Sequence, residues 1–328
     1  MNNQLLYFPY INVPNSNWTT HSILYWDNVG AIVPQTYRNA PNNLQDYMRD
    51  LVQNELVEQV FPHNYMNYDR NSFDRSFLEL IGQRSFNISE KRIAFMRGEY
   101  VEIHIEKLGN GIITELILLR IAARKPNDGQ WYYVESKTAR LFMMYLASVI
   151  GKLGRYTPAT DASENIDFTM TQRGISYRSQ KLRGKFLEDL MPYPIDPDLK
   201  ALRKFKEKHH PQLKRFRIHL EKAILNVSSY SNRNQRLQAY DLNLEEMLDE
   251  KEAILAKLNE SRMGQITFGS VFGTAAAIGA FAASQNLLGA ITLTNAIYSA
   301  VQGYNRPELD KNYAYLALLD RQFGGQNQ

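Results

Sequence analysis

The sequence contains no cysteine. That removes disulfides, thiol nucleophiles and every cysteine-ligated metal site. It also lacks the short motifs that announce common chemistries. There is no G-x-x-x-x-G-K-[ST], and no G-x-G-x-x-G follows a strand, so phosphate cradling has no support. There is no G-x-S-x-G elbow, no H-E-x-x-H and no D-x-D-x-D-G. A strong charge imbalance is missing too: 38 basic against 34 acidic residues leave a net charge of +4. That is too little by itself to imply a nucleic-acid partner. The N-terminus has no basic region followed by a small-residue cleavage site, so no secretory leader is expected. Finally, no charged side chain occurs between Arg262 and Arg306.

What is present describes a globular protein. The chain has 328 residues, 44% hydrophobic and 22% charged, enough for two domains or one large one with an appendage. Twenty Tyr and fifteen Phe point to an aromatic-rich core. Residues 5–13 read as a first strand, with Pro9 placing it at an edge or interrupting it. The spacing predicts a helix over 18–26, a short buried strand within 27–34, a helix over 43–55, an extended segment at 56–61 and a helix carrying Phe73, Phe77, Leu78 and Ile81. Residues 101–107 (VEIHIEK) alternate. Val101, Ile103 and Ile105 lie on one face, with Glu102, His104 and Glu106 on a solvated one. A helical segment (112–121), a strand (131–135) and a helix with Ser136 as its N-cap (136–153) follow. Residues 156–178 read as a long loop.

Composition changes at 191–197, where three prolines stiffen the chain. We place a domain boundary there, giving an α+β fold: a mixed α/β domain over 1–194 and an all-helical domain over 195–328. Leu199, Leu202, Phe205, Leu213, Phe216, Leu220, Ile224 and Val227 form one apolar stripe, with a kink or two helices expected at Pro211. Leu237, Tyr240, Leu244, Met247 and Leu248 begin its partner. Together they make an amphipathic αα-hairpin over 198–262. A Gly/Ala-rich hairpin (264–303) and a terminal helix (309–323) complete the domain.

The segments LYFPYINVP (6–14), LYWDNVGAIVP (24–34), LQDYMRDLVQNELVEQVFP (44–62), IHIEKLG (103–109), WYYVESKTARLFMMYLASVIGKLG (131–154), TPATD (157–161) and LRKFKEKHHPQLKRFRIHLE (202–221) resemble, in that order, an uncharacterised bacterial family, a domain of unknown function found in proteins of about this length. The resemblance covers nearly the whole chain and brings no activity, cofactor or site residues. It implies a bacterial, cytoplasmic protein, of a kind whose genes often travel with mobile elements and antiphage systems.

Three groups of residues are candidates for function. His104 with Glu106, joined by Glu135 and Asp161, could bind a metal or act as base and acid in a hydrolase or nuclease. The plain alternative is a solvated strand face with Glu106 and Lys107 exposed. Lys204, Lys208, Arg215 and Lys222 sit in a basic region, twelve Lys or Arg against six Asp or Glu over 181–222. They could meet phosphates or anionic lipid; Phe205 and Phe216 there belong to the apolar stripe and so to the core rather than to base stacking. In the uncharged stretch, Gly269, Gly273, Gly279 and Gly289 allow close helix approach, with Phe272 and Phe281 as apolar contacts. That favours a close-packed hairpin, within the chain or between copies. Membrane entry is the alternative, weakened because 287–301 is short and flecked with polar residues. The expected function is non-catalytic: an assembly or effector component that binds a protein partner or itself, with no cofactor, no metal and no evident small-molecule substrate.

Overall fold

The computed structural model describes residues 3–66, 70–83, 86–161, 177–191, 198–260 and 313–323. The chain divides into two compact units. One comprises Met1–Gln172 with Asp196–Glu207; the other comprises Arg173–Ile195 with Lys208–Gln328. The architecture is α+β, with the strands in the first unit and a helical C-terminal part.

The first unit opens with β1 (Gln4–Tyr7), α1 (Asn17–Tyr25) and β2 (Asn28–Ile32). β1 ends immediately before the Phe8–Pro9 bond, which is cis. Pro9 therefore interrupts the strand and does not mark a sheet edge: β1 pairs in parallel with β2 on one side and with β7 (Tyr156–Ala159) on the other. After two 3₁₀ turns come α2 (Asp46–Gln53) and β3 (Val57–Val60), which pairs in parallel with β2. The sheet order is β3-β2-β1-β7. The strands are apolar because parallel strands are covered on both faces: Leu5, Leu6, Tyr7, Ala31 and Ile32 are all buried. β7 lies inside the stretch expected as a loop. Four residues containing a proline give little periodicity; tertiary pairing makes this strand.

A second, antiparallel sheet of order β4-β6-β5 is built from β4 (Tyr100–His104), β5 (Ala122–Arg124) and β6 (Trp131–Glu135). The helices α3 (His63–Met66), α4 (Arg70–Ile81), α5 (Ile88–Met96), α6 (Ile105–Leu108), α7 (Asn110–Leu118) and α8 (Ser136–Gly154) complete it. One core joins both sheets. Phe73 and Phe77 of α4 pack edge-on to Phe142 of α8 at 6.3 and 5.2 Å, together with Leu6, Ile32, Ile103, Leu116 and Val134. The α8 cap is Glu135 and not Ser136: its carboxylate accepts from the Thr138 amide at 2.7 Å and hydroxyl at 2.6 Å, satisfying a first-turn donor in a buried place.

Two helices meet near Pro211, as expected from the break in the apolar stripe. α10 (Leu199–Lys208) belongs mostly to the first unit, where Arg203 meets Glu55 at 2.7 Å. α11 (His210–Ser229) takes Pro211 in its first turn, where no amide partner is lost. In the second unit α9 (Tyr177–Leu190), α11, α12 (Arg233–Glu260) and α13 (Ala314–Phe323) pack together. Arg183 and Glu221 form a two-pronged ion pair at 2.6 and 2.8 Å, and Phe186 lies 4.3 Å from Tyr240. The α11–α12 pair is the long hairpin the stripes predict. Leu237, however, is exposed; it lies in the first turns of α12, ahead of the buried Tyr240. No described helix is long and apolar enough to cross a membrane.

A tight turn joins α6 to α7. Gly109 has φ +76° and ψ 159°, a region essentially restricted to glycine. A Cβ there would also strike the Arg70 guanidinium, which donates to the Leu108 carbonyl and pairs with Asp74 at 2.9 Å. Gly98 has φ +85° but open space around it. Gly109→Ala is therefore expected to destabilise by about 2 kcal/mol or more, and Gly98→Ala by less, in urea melts of the two variants.

Candidate functional site

β4 does not run through to Lys107. It stops at His104, and the chain turns into α6. His104 is 1% exposed, so it is not on a solvated face. Its Nδ1 accepts from the Glu106 amide at 3.3 Å, capping α6, and its Nε2 pairs with Gln130 Oε1 at 3.1 Å. An amide donor on Nδ1 places the ring proton on Nε2, which then donates to Gln130. Trp131 and Tyr37 meet the ring edge-on at 5.3 and 6.3 Å. Burial holds His104 below the ordinary histidine range. Both nitrogens are committed, so His104 has a structural role and no free position for a metal or a transferable proton.

The other members of the expected acid–base group are dispersed. Tyr100 pairs with Glu135 and His104 with Trp131 across the same two strands, so His104 and Glu135 sit about 13 Å apart along the sheet at ~3.3 Å per residue. Glu135 is occupied as the α8 cap. Asp161 accepts from the Tyr7 hydroxyl at 3.0 Å, beside the other sheet. Glu106 accepts from the Thr36 amide at 3.2 Å and so pins the 3₁₀ turn that carries Tyr37. Among the described residues no group of three His, Asp or Glu could hold a metal ion.

The basic residues Lys204, Lys208, Arg215 and Lys222 are all exposed, and Phe205 and Phe216 are buried core residues. Lys204 belongs to the first unit and the other three to the second. Gly269, Phe272, Gly273, Gly279, Phe281 and Gly289 lie outside the described residues.

What the fold does bring together is a cavity of about 320 Å³ in the first unit. One wall is the segment from Pro9 to Pro14, the continuation of β1. Tyr37 and Gln45 come from the chain after β2, Glu102 and His104 from β4, Trp131 from β6, and Met143 from α8. β1 is the strand at which the order of the parallel sheet reverses: β2 and β3 lie to one side and β7 to the other. Clefts outside the carboxyl ends of strands at such a reversal are the usual ligand sites of open α/β sheets.

Lys107 also lines this cavity. It is 3% exposed, and burial pushes its ammonium down to about 7 from the usual 10.5. Among the described residues the ammonium has no hydrogen-bond or ion-pair partner; desolvation alone sets its acidity. Glu102, on the same wall, is held by Lys125 at 2.8 Å. The sequence does carry a signal for Lys107. Extending the strand alternation one step puts it on the apolar face with Val101, Ile103 and Ile105, where a charge is anomalous. Tyr37, half-buried in the same cavity, has its phenol pushed up by burial and then by the charge of Asp128.

No family model, curated protein or solved structure matches this chain.

A buried lysine of this kind opposes folding in a defined pH window. Its amine titrates near 7 in the folded chain and near 10.5 when unfolded. Between those values the unfolded chain binds more protons, so this group makes stability rise with pH from about 7 to about 10.5, and adds no slope below. Lys107→Met removes that slope. The variant is expected to be more stable than the parent at pH 7, by about 1 kcal/mol or more, with the gap closing toward pH 10 in urea melts.

Proposed function

We propose that this chain is a binding protein whose first unit takes a small organic acid in the cavity at Lys107. The observation that supports this is a buried ammonium without a partner among the described residues, lining a cavity of about 320 Å³. An unpaired charge in low dielectric is costly, and a carboxylate brought into the cavity supplies the missing ion pair and hydrogen bonds. Cavities of this size hold a small organic molecule. Trp131, Ile11, Val13 and Met143 offer apolar surface for its carbon skeleton, and Tyr37, Asn12 and Gln45 offer polar atoms to orient it. No cation other than Lys107 lines the cavity among the described residues. This makes Lys107 the selectivity-determining group for the ligand's charge.

An assembly role for the helical half, with a protein partner or a second copy, is compatible with this reading. It concerns the second unit and rests on 264–303, outside the described residues.

Binding of this kind takes up a proton. The carboxylate pairs with the ammonium form, which above pH 7 is a falling fraction of the free protein. Calorimetric titration with acetate, benzoate and pyruvate is expected to show at least one binder. Its affinity should fall toward tenfold per pH unit between about pH 7.5 and 9, with proton uptake. Lys107→Met should weaken it by roughly tenfold or more, the loss of a desolvated ion pair. An affinity that ignores both pH and Lys107→Met would overturn the proposal.

A further inference from the structure

The same geometry supports a covalent step, and this step rests on the acid-binding reading above. We propose that Lys107 captures the carbonyl carbon of a small 2-oxo acid as an imine, so that the cavity is a carbonyl-trapping site as well as a carboxylate site.

Three observations lead there. The first is the state of the amine. A buried lysine with no carboxylate partner carries a substantial neutral, nucleophilic fraction near pH 7, whereas an ordinary surface lysine is almost wholly protonated there. The second is the charge balance of the cavity. Lys107 is its one lining cation among the described residues, so a ligand carboxylate must be balanced by Lys107 itself. An imine that keeps a proton does this. Starting from the ammonium, one proton is released to solvent, and the neutral nitrogen bonds to the carbonyl carbon and passes a second proton to its oxygen. The carbonyl oxygen leaves as water with two of the three ammonium protons, and the third stays on the nitrogen. Charge is conserved, no oxidant or reductant is needed, and the cationic imine lies beside the ligand's own carboxylate. The third observation is the neighbouring phenol. Water departs from the carbinolamine only when a donor protonates its hydroxyl. His104 cannot serve, because both ring nitrogens are committed. Tyr37 lines the same cavity, and among the described residues its hydroxyl has no hydrogen-bond partner. The Glu106–Thr36 bond holds the turn that carries it. Tyr37 thus supplies the second proton to the departing oxygen and is reprotonated by the one the ammonium released, so that in net two ammonium protons leave with the water.

The groups around this lysine are consistent with an imine and not with a permanent ion pair. Glu102 is paired to Lys125, Glu106 is turned to Thr36, and the proximity of Lys107 itself helps to keep His104 neutral.

The test is reductive trapping. The full chain is incubated with pyruvate at pH 7, reduced with cyanoborohydride and mapped by peptide mass spectrometry. The expected result is a reduced pyruvyl adduct on Lys107, formed roughly tenfold or more faster than on exposed lysines such as Lys137, in line with the larger neutral fraction. Lys107→Arg abolishes that adduct while far-UV circular dichroism is unchanged. Tyr37→Phe slows its formation several-fold at saturating pyruvate, where a change in binding no longer sets the rate. Adducts spread evenly over surface lysines, or none on Lys107, overturn the imine. If pyruvate binds calorimetrically and Lys107→Met abolishes that binding while no adduct is trapped, the acid-binding reading stands and the imine falls. If neither binding nor adduct is found, both fall.

Discussion

The constraint on which the site depends is the burial of one lysine with no counter-charge among the described residues. A chain of this size has ample surface on which to place an ammonium, and the other cations among the described residues are mostly solvated or paired, as Arg183 with Glu221 and Lys125 with Glu102 show. Lys107 sits where its charge is penalised, next to an aromatic-lined cavity at the reversal point of a parallel sheet. Groups held against their solvation preference concentrate at functional sites, because the perturbation that costs stability also makes them reactive or selective.

The surroundings of Lys107 hold it there. The strand ends at His104 because the imidazole caps the next turn. That turn ends at Gly109 because Arg70 occupies the space a side chain would need and takes the Leu108 carbonyl. Between these two stops, four residues form α6, and Lys107 within it is buried. Glu106, one residue earlier, accepts from the Thr36 amide and fixes the Tyr37 turn. The residues that first look like acid–base chemistry, His104 and Glu106, therefore position the site through the cap of α6 and the bond to Thr36. Glu135 has a similar role one strand away, as the cap of α8.

Much of the architecture was legible in the sequence. The apolar run at 5–7, the buried segment around Val29–Val33 and the helical spacing of Phe73, Phe77 and Ile81 reflect local pattern and burial that agree. Pro211 announced the break between α10 and α11. The failures share a cause: long-range contacts overriding a short local signal. β5 and β7 are three and four residues long and exist because neighbouring strands pair with them. In VEIHIEK (101–107), alternation suggested seven residues of strand, yet the cap at His104 and the Arg70–Leu108 bond turn Ile105–Leu108 into a helical turn. The cavity was the least legible feature, because its walls come from segments scattered between residues 9 and 143 that only the fold unites. Lys107 alone left a trace, as a charge on the apolar side of an alternating run.

Both binding and imine formation at this cavity depend on the protonation state of a single amine. That state is measured most directly by following the Lys107 side chain in the free protein by NMR, with 13C-labelled lysine and the Lys107→Met variant for assignment, from pH 5 to 11. The expected Lys107 titration midpoint is near 7, well separated from the other lysines, and displaced upward when a small carboxylate is added. A midpoint above 10, indistinguishable from the exposed lysines, would contradict a carboxylate or carbonyl site at Lys107.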